Sequence, residues 1–203
     1  MIQAPVDDKK RKFLTTSTSV VGGAGLVLAS IPFIKSWNPS EKAKAAGSPI
    51  EIDVLKMAVG QLMRVEWQSK PVWIVRRTEQ SIKELEDIND LVQDPLSEEP
   101  QQPYYAKNIN RSIRKDFFVA VGICTHLGCS PTYIPNNSEG KLSNRVTSGF
   151  FCPCHGSAFD MSGRVFKNVP APLNLMIPPH HFAKNNNLII GLNPGSNNKK
   201  ELS

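Results

Sequence analysis

An all-β head tethered to one N-terminal membrane-spanning helix is the fold expected of this 203-residue chain. From Ile50 onward, short stretches alternate apolar and polar residues and are cut by Gly and Pro, as strands and turns require. Ahead of them lies a run without a charged residue, Phe13 to Ile34. Two boxes, Val121 to Cys129 and Phe151 to Asp160, hold all four cysteines and two of the four histidines. Packing does not gather cysteines this way, whereas ligands must converge on one point.

The length suits one medium domain plus an appendage, and 40% apolar with 21% charged residues is ordinary for soluble protein. Part of the net charge of +6 comes from Lys9, Lys10, Arg11 and Lys12. No basic stretch interleaves with aromatics, so nucleic acid is not an expected partner.

In chain order, residues 1–12 read as a polar tail ending in that basic cluster. The 22 positions 13–34 would span about 33 Å as a helix, enough for a bilayer core of roughly 30 Å. The basic cluster belongs on the cytoplasmic side, which puts the rest of the chain outside. Lys10-Arg11-Lys12-Phe13-Leu14 resembles a twin-arginine export signal with Lys in place of the first Arg. A cleaved signal peptide with Ala43-Lys44-Ala45 as its site competes with a retained anchor. That site lies well beyond the apolar stretch, which favours the anchor. Residues 35–49, rich in small, charged and breaker residues, read as a linker.

Residues 50–203 form the head. Ile50 to Leu55, Leu62 to Trp67 and Val72 to Val75 are expected as strands of a meander. Glu79 to Val92 shows helical spacing through Ile82, Leu85 and Ile88, with Pro95 as its stop. Gln93 to Asn110 reads as an exposed loop and Phe117 to Gly122 as a strand entering the first box. Ser130 to Ser148 reads as a surface excursion and Arg145 to Phe151 as the returning strand. After the second box come a turn at Ser162-Gly163, a Pro-rich loop from Val169 to Leu175, a final strand Leu188 to Gly191, and a polar tail. His180 and His181 read as loop residues.

The boxes are Cys124-x-His126-x-x-Cys129 and Cys152-x-Cys154-His155. Six candidate ligands are two too many for a structural zinc, which takes four. A four-ligand site plus two left-over cysteines, one from each box, fits better, and such a pair can form a disulfide that staples the loops together. A redox thiol pair at Cys152-x-Cys154 lacks the C-x-x-C spacing. Gly128 and Gly156 lie where the backbone must turn tightly.

C-T-H-L-G-C and C-P-C-H-G-S stand here as they do in the Rieske iron–sulfur proteins, and the chain resembles that family closely. The resemblance implies an antiparallel β-sandwich head with a cluster-binding subdomain at about 118–176, carrying one [2Fe–2S] cluster. Cys124 and Cys152 would ligate one iron, His126 and His155 the other, and Cys129 and Cys154 would form the disulfide. Two neutral imidazoles in place of thiolates raise the potential to roughly −150 to +300 mV, against about −400 mV for plant-type ferredoxins. The imidazoles also carry a second nitrogen that exchanges a proton. Ser157 matches the family serine that donates a hydrogen bond to the cluster. Higher-potential members carry Tyr two residues further on, where this chain has Phe159 without a donor; the expectation is a lower midpoint.

Three further stretches look like the Rieske subunits of bacterial cytochrome bc1 complexes (ubiquinol–cytochrome c reductases): the anchor, Lys70 to Thr78, and Gly163 to Leu175. Soluble Rieske ferredoxins lack both the disulfide cysteines and the anchor, and a disulfide requires an oxidising compartment. The resemblance implies a single-pass protein of the bacterial inner membrane with its head in the periplasm, part of a dimeric, proton-translocating complex. Its partners would be quinol, cytochrome b and cytochrome c1. His155 would accept the quinol's hydrogen bond, Leu127 would pack at the docking surface, and residues 35–49 would be the hinge on which the head swings. Alternatives are the Rieske subunit of another exported oxidoreductase, such as arsenite oxidase, and a zinc-stapled structural domain.

Overall fold

The computed structural model describes residues 7–40 and 47–196, which fall in two separate compact units. The first unit holds one helix, α1 (Asp8–Lys35). Asp7 caps it, its carboxylate accepting from the Lys9 and Lys10 N–H groups at 3.1 and 3.3 Å, and its negative charge suits a helix N-terminus. Pro32 lies in the last turn and has no N–H to give the Leu28 carbonyl, close to where the helix stops. None of the helix is buried, and it is long and apolar enough to cross a membrane. Residues 41–46, which include the Ala43-Lys44-Ala45 motif and part of the expected linker, lie outside the described residues.

The second unit is built from antiparallel strands: β1 (Ile50–Ile52), β2 (Leu62–Trp67), β3 (Lys70–Arg76), β4 (Phe117–Val121), β5 (Thr132–Ile134), β6 (Gly149–Phe151), β7 (Ala158–Phe159), β8 (His180–Phe182) and β9 (Leu188–Ile190). They form three three-stranded sheets, ordered β1-β9-β8, β2-β3-β4 and β5-β6-β7. One short helix, α2 (Glu79–Asp87), and a 3-10 turn at Tyr104–Ala106 interrupt them.

The β2-β3-β4 sheet is the middle layer. Val72, Trp73, Ile74 and Val75 are all buried, as are Phe117 to Val121, so these strands are apolar on both faces. Successive side chains of a strand point to opposite faces. Val72, Ile74, Phe117 and Val119 accordingly join Leu188 and Ile190 in one core, toward the β1-β9-β8 sheet. Trp73, Val75, Phe118 and Ala120 join Phe150, Phe159, Val165 and Leu175 in the other, together with Cys124 and Cys152. Two cores on one shared sheet make the expected β-sandwich. A two-residue turn with positive φ at both Gln68 (51°) and Ser69 (57°) links β2 to β3, the geometry whose twist matches a hairpin.

Several expectations are corrected. The first strand stops at Ile52, because the Asp53 carboxylate turns back to accept the Leu55 N–H at 3.0 Å. It joins no meander: β1 pairs with β9, Ile50 opposite Ile190. Helix α2 ends at Asp87, not Val92. Buried Arg164 takes the Leu85 carbonyl at 2.7 Å and the Asn89 side chain at 2.7 Å, and Arg145 takes the Asp87 carbonyl. These guanidiniums satisfy the carbonyls that a further turn would have used. Val92 then bridges to Phe166.

The excursion between the boxes contains β5, and its Leu142 and Val146 are buried against Ile88 and Phe166. The strand returning from it begins at Gly149, not Arg145, since a turn from Ser143 to Val146 precedes it. Residues 93–110 are not uniformly exposed, since Ser97 and Ala106 are buried. His180 and His181 lie on strand β8, with His180 fully buried.

Candidate metal centre

Each box is a loop leaving the end of a buried strand, β4 for the first and β6 for the second. The two loops share one hydrogen-bond frame. The Cys124 N–H donates to the Cys129 carbonyl at 2.7 Å, and the Gly128 N–H donates back to the Cys124 carbonyl at 3.1 Å. Likewise the Cys152 N–H donates to the Ser157 carbonyl at 2.7 Å, and the Gly156 N–H to the Cys152 carbonyl at 3.0 Å. Gly128 and Gly156 occupy the same step of this frame, with φ of 83° and 77°. A side chain there would strain both loops.

The frames set the two boxes face to face. Cys129 and Cys154 form a disulfide between the loops. Cys124 and Cys152 remain free and are buried. The sulfurs of Cys129, Cys152 and Cys154 lie within 4.8 Å of one another. The His126 and His155 rings meet each other, with centroids 4.7 Å apart and planes crossing at 86°. His155 is exposed and His126 half-buried. The His126 Nδ1 atom is buried without a partner among the described residues. A buried polar atom left unpaired is costly, so this nitrogen marks a place for something that binds it.

Burial, first of all, pushes the Cys124 thiol up, and neighbouring Cys152 adds to the effect. The His126 backbone N–H and the Ser157 hydroxyl pull the other way. A metal must therefore displace a firmly held proton to bind this sulfur. The Ser157 oxygen accepts the Ala171 N–H at 3.0 Å, which leaves its own proton free to donate. Ala171 belongs to the Pro-rich loop, and Thr125 ties the first box to that loop by donating to the Leu173 carbonyl at 2.6 Å. Thr125 is a contact that the sequence reading missed. Phe159 is fully buried in the apolar core that holds Cys124 and Cys152. Leu127 stands 71% exposed at the tip of the first loop.

Behind the second box the chain makes the expected turn at Ser162-Gly163, and the buried Asp160–Arg164 pair that frames it is new to the structure. The Asp160 carboxylate accepts the Ser162 and Arg164 N–H groups, each at 2.8 Å, and the Arg164 Nε at 2.7 Å. The sequence signal was present in Asp160-Met-Ser-Gly-Arg164, a charged pair flanking a tight turn between apolar segments.

Two free thiols and two imidazoles remain once the disulfide is subtracted, and one imidazole has a buried nitrogen with no partner among the described residues. That donor set fits a [2Fe–2S] cluster of the nitrogen-ligated kind. Comparison with known proteins agrees. Residues 95–179 match the family described as "Rieske [2Fe-2S] domain". Residues 4–40 match the one described as "Ubiquitinol-cytochrome C reductase Fe-S subunit TAT signal". Three curated relatives each bear the name "Ubiquinol-cytochrome c reductase iron-sulfur subunit". The protein from Allochromatium vinosum is 49% identical, covering 94% of this chain and 92% of the relative. That from Bradyrhizobium diazoefficiens is 39% identical over 90% and 94%, and that from Blastochloris viridis 40% over 90% and 92%.

Proposed function

This chain belongs to the iron–sulfur subunits of ubiquinol–cytochrome c reductase, and we propose that it accepts one electron and one proton from quinol at cytochrome b and passes the electron to cytochrome c1. The observation that carries the reading is the ring contact of His126 with His155 on the two loops that also carry two free buried thiols, with His126 Nδ1 lacking a partner among the described residues. In this reading Cys124, His126, Cys152 and His155 hold the cluster. When bound, a [2Fe–2S] cluster with two imidazole ligands supplies a one-electron acceptor at roughly −150 to +300 mV.

The chain's own residues do the rest. His155 is exposed, so its distal ring nitrogen can accept a hydrogen bond from a quinol hydroxyl and then hold the proton. Leu127, exposed on the first loop, offers an apolar contact suited to docking on cytochrome b. The Cys129–Cys154 disulfide keeps the loops together as partners exchange, and Ser157 donates toward the sulfur side. Phe159 has no hydroxyl to donate there, which lowers the potential relative to a tyrosine. Residues 13–34 anchor the chain in the bacterial inner membrane, 35–49 act as hinge, and the head, 50–203, works in the periplasm. The complex is a dimer and translocates protons.

Low-temperature EPR of membranes tests this directly. The expected result is a rhombic signal of low average g after ascorbate, lost in His155→Cys, with b- and c-type haems co-purifying. Zinc in the native protein, with no signal from either ascorbate or dithionite, would overturn it.

A further inference from the structure

Three arginines are buried next to the second box, and one of them contacts a carboxylate among the described residues. Arg164 is paired with Asp160. Arg77 and Arg111 are 3% and 0% exposed and bond no carboxylate. Arg77 donates to the Lys115, Asn110 and Met161 carbonyls and to the Ser112 and Ser162 hydroxyls. Arg111 donates to the Ser162 and Gly163 carbonyls at 3.0 and 3.3 Å, to the Leu175 carbonyl at 2.8 Å, and to Gln102 Oε1 at 2.9 Å. Arg111 thereby joins the turn behind the second box to the exit of the Pro-rich loop.

The other acidic groups nearby make their hydrogen bonds elsewhere, although Asp116 still acts through space on Arg77 and Asp94 on Arg111. Glu84, the second buried carboxylate, accepts from Thr147 and Gln80. Asp94 caps the Glu98 and Glu99 N–H groups, and Asp116 binds Arg114. Two guanidiniums thus sit around the Asp160 turn with no carboxylate in contact among the described residues. Burial pushes Arg77 down to about 9 and Arg111 to about 10, with Asp160 opposing it, so both stay protonated at neutral pH. Carbonyl partners satisfy such a group's hydrogen bonds without cancelling its charge.

We infer that the buried guanidiniums of Arg77 and Arg111 are a fixed positive charge that raises the reduction potential of the metal centre held by the two boxes. The inference rests on the ligand set proposed above. Asp160 follows Ser157 by three residues, mostly of strand β7, which is about 10 Å of extended chain. A reduced centre carries one more negative charge, and a buried positive charge behind the second box stabilises it. One unit charge at about 12 Å, with an effective dielectric of about 20, changes a one-electron equilibrium by roughly tenfold, which is about 59 mV. This charge acts opposite to the missing hydroxyl at Phe159.

Gln102→Glu tests the idea, because it sets a carboxylate of the same shape against the Arg111 guanidinium and keeps the contact. The measurement is EPR-monitored redox titration of the full chain in its membrane. The expected result is a midpoint about tenfold lower in equilibrium constant, with the signal shape retained. Arg111→Gln, which removes the charge, should lower the midpoint too, and Arg111→Lys should restore most of it. A merely structural role would leave the Gln102→Glu midpoint in place. An unchanged midpoint with an intact signal overturns the inference alone. Absence of any such signal from the unmodified chain overturns the ligand reading and this inference with it.

Discussion

Asp160→Asn should be among the most damaging single substitutions in the head. The Asp160 carboxylate is 1% exposed, accepts two backbone N–H groups at 2.8 Å and pairs with Arg164 at 2.7 Å. It is the only carboxylate that any of the three buried arginines touches among the described residues. Asparagine keeps one acceptor but removes the charge, which leaves the buried Arg164 guanidinium without its ion partner and weakens the field that holds Arg77 and Arg111. Breaking a buried pair from one side costs about 3–5 kcal/mol, against a typical total stability of about 5–15 kcal/mol. At about 2–4 °C per kcal/mol for a domain of this size, the midpoint of unfolding should fall by about 6–20 °C. Thermal unfolding followed by far-UV circular dichroism reads the shift. The double variant Asp160→Asn/Arg164→Met should recover part of the loss, since it also removes one orphaned cation. A loss under about 1 kcal/mol for Asp160→Asn would refute the view that this carboxylate neutralises the network.

Acid should destabilise the head through His180. Burial, which outweighs the Pro178 carbonyl, lowers its pKa to about 4, while the unfolded chain titrates near 6.5. The folded pKa lies below the unfolded one, so stability is full above about pH 6.5 and falls towards pH 4, by about 3 kcal/mol in all. His180→Phe should flatten urea-unfolding stability over that window; an unchanged slope would show that other groups set it. Gly122→Ala should cost about 1–3 kcal/mol and lower iron content, because the added methyl would lie 2.2 Å from Trp73 Cε2; wild-type stability and iron loading would contradict the packing account. Phe159→Tyr should raise the midpoint by adding a donor near the sulfur ligands, and a redox titration showing no rise would remove that explanation.

Much of this was legible in the chain, for reasons that separate local from distant causes. The boxes declare themselves because ligands need particular residue types at fixed spacing. α1 and strands β3 and β4 declare themselves because their apolar runs are unbroken. The end of α2 was hidden, since the arginine that takes its carbonyls, Arg164, lies 79 residues beyond Leu85. The partner of β1 was hidden for the same kind of reason, as it comes from Leu188–Ile190 at the other end of the head. His180 did not resemble a strand residue; its backbone N–H is taken by the Tyr105 hydroxyl at 2.8 Å, and its ring by the Pro178 carbonyl at 2.9 Å. The buried charge network was the largest omission, because a polar residue reveals its burial only when its distant partners are known.

The middle sheet carries a further consequence. Val72 to Val75 are apolar on both faces, so polarity cannot tell this strand which way to face. A slip of one residue against β4 would still bury four apolar side chains. Size can make the distinction. Trp73 lies across the backbone of Gly122, the gap left where a side chain is missing, two residues before Cys124, and stacks on Phe150, two residues before Cys152. A large ring and a missing side chain thus act as key and keyhole, fixing the register of the wall from which the first loop hangs and setting that wall against the strand that carries the second. The position of the first ligand is in this sense written by volume, in a part of the sequence that bears no ligand at all.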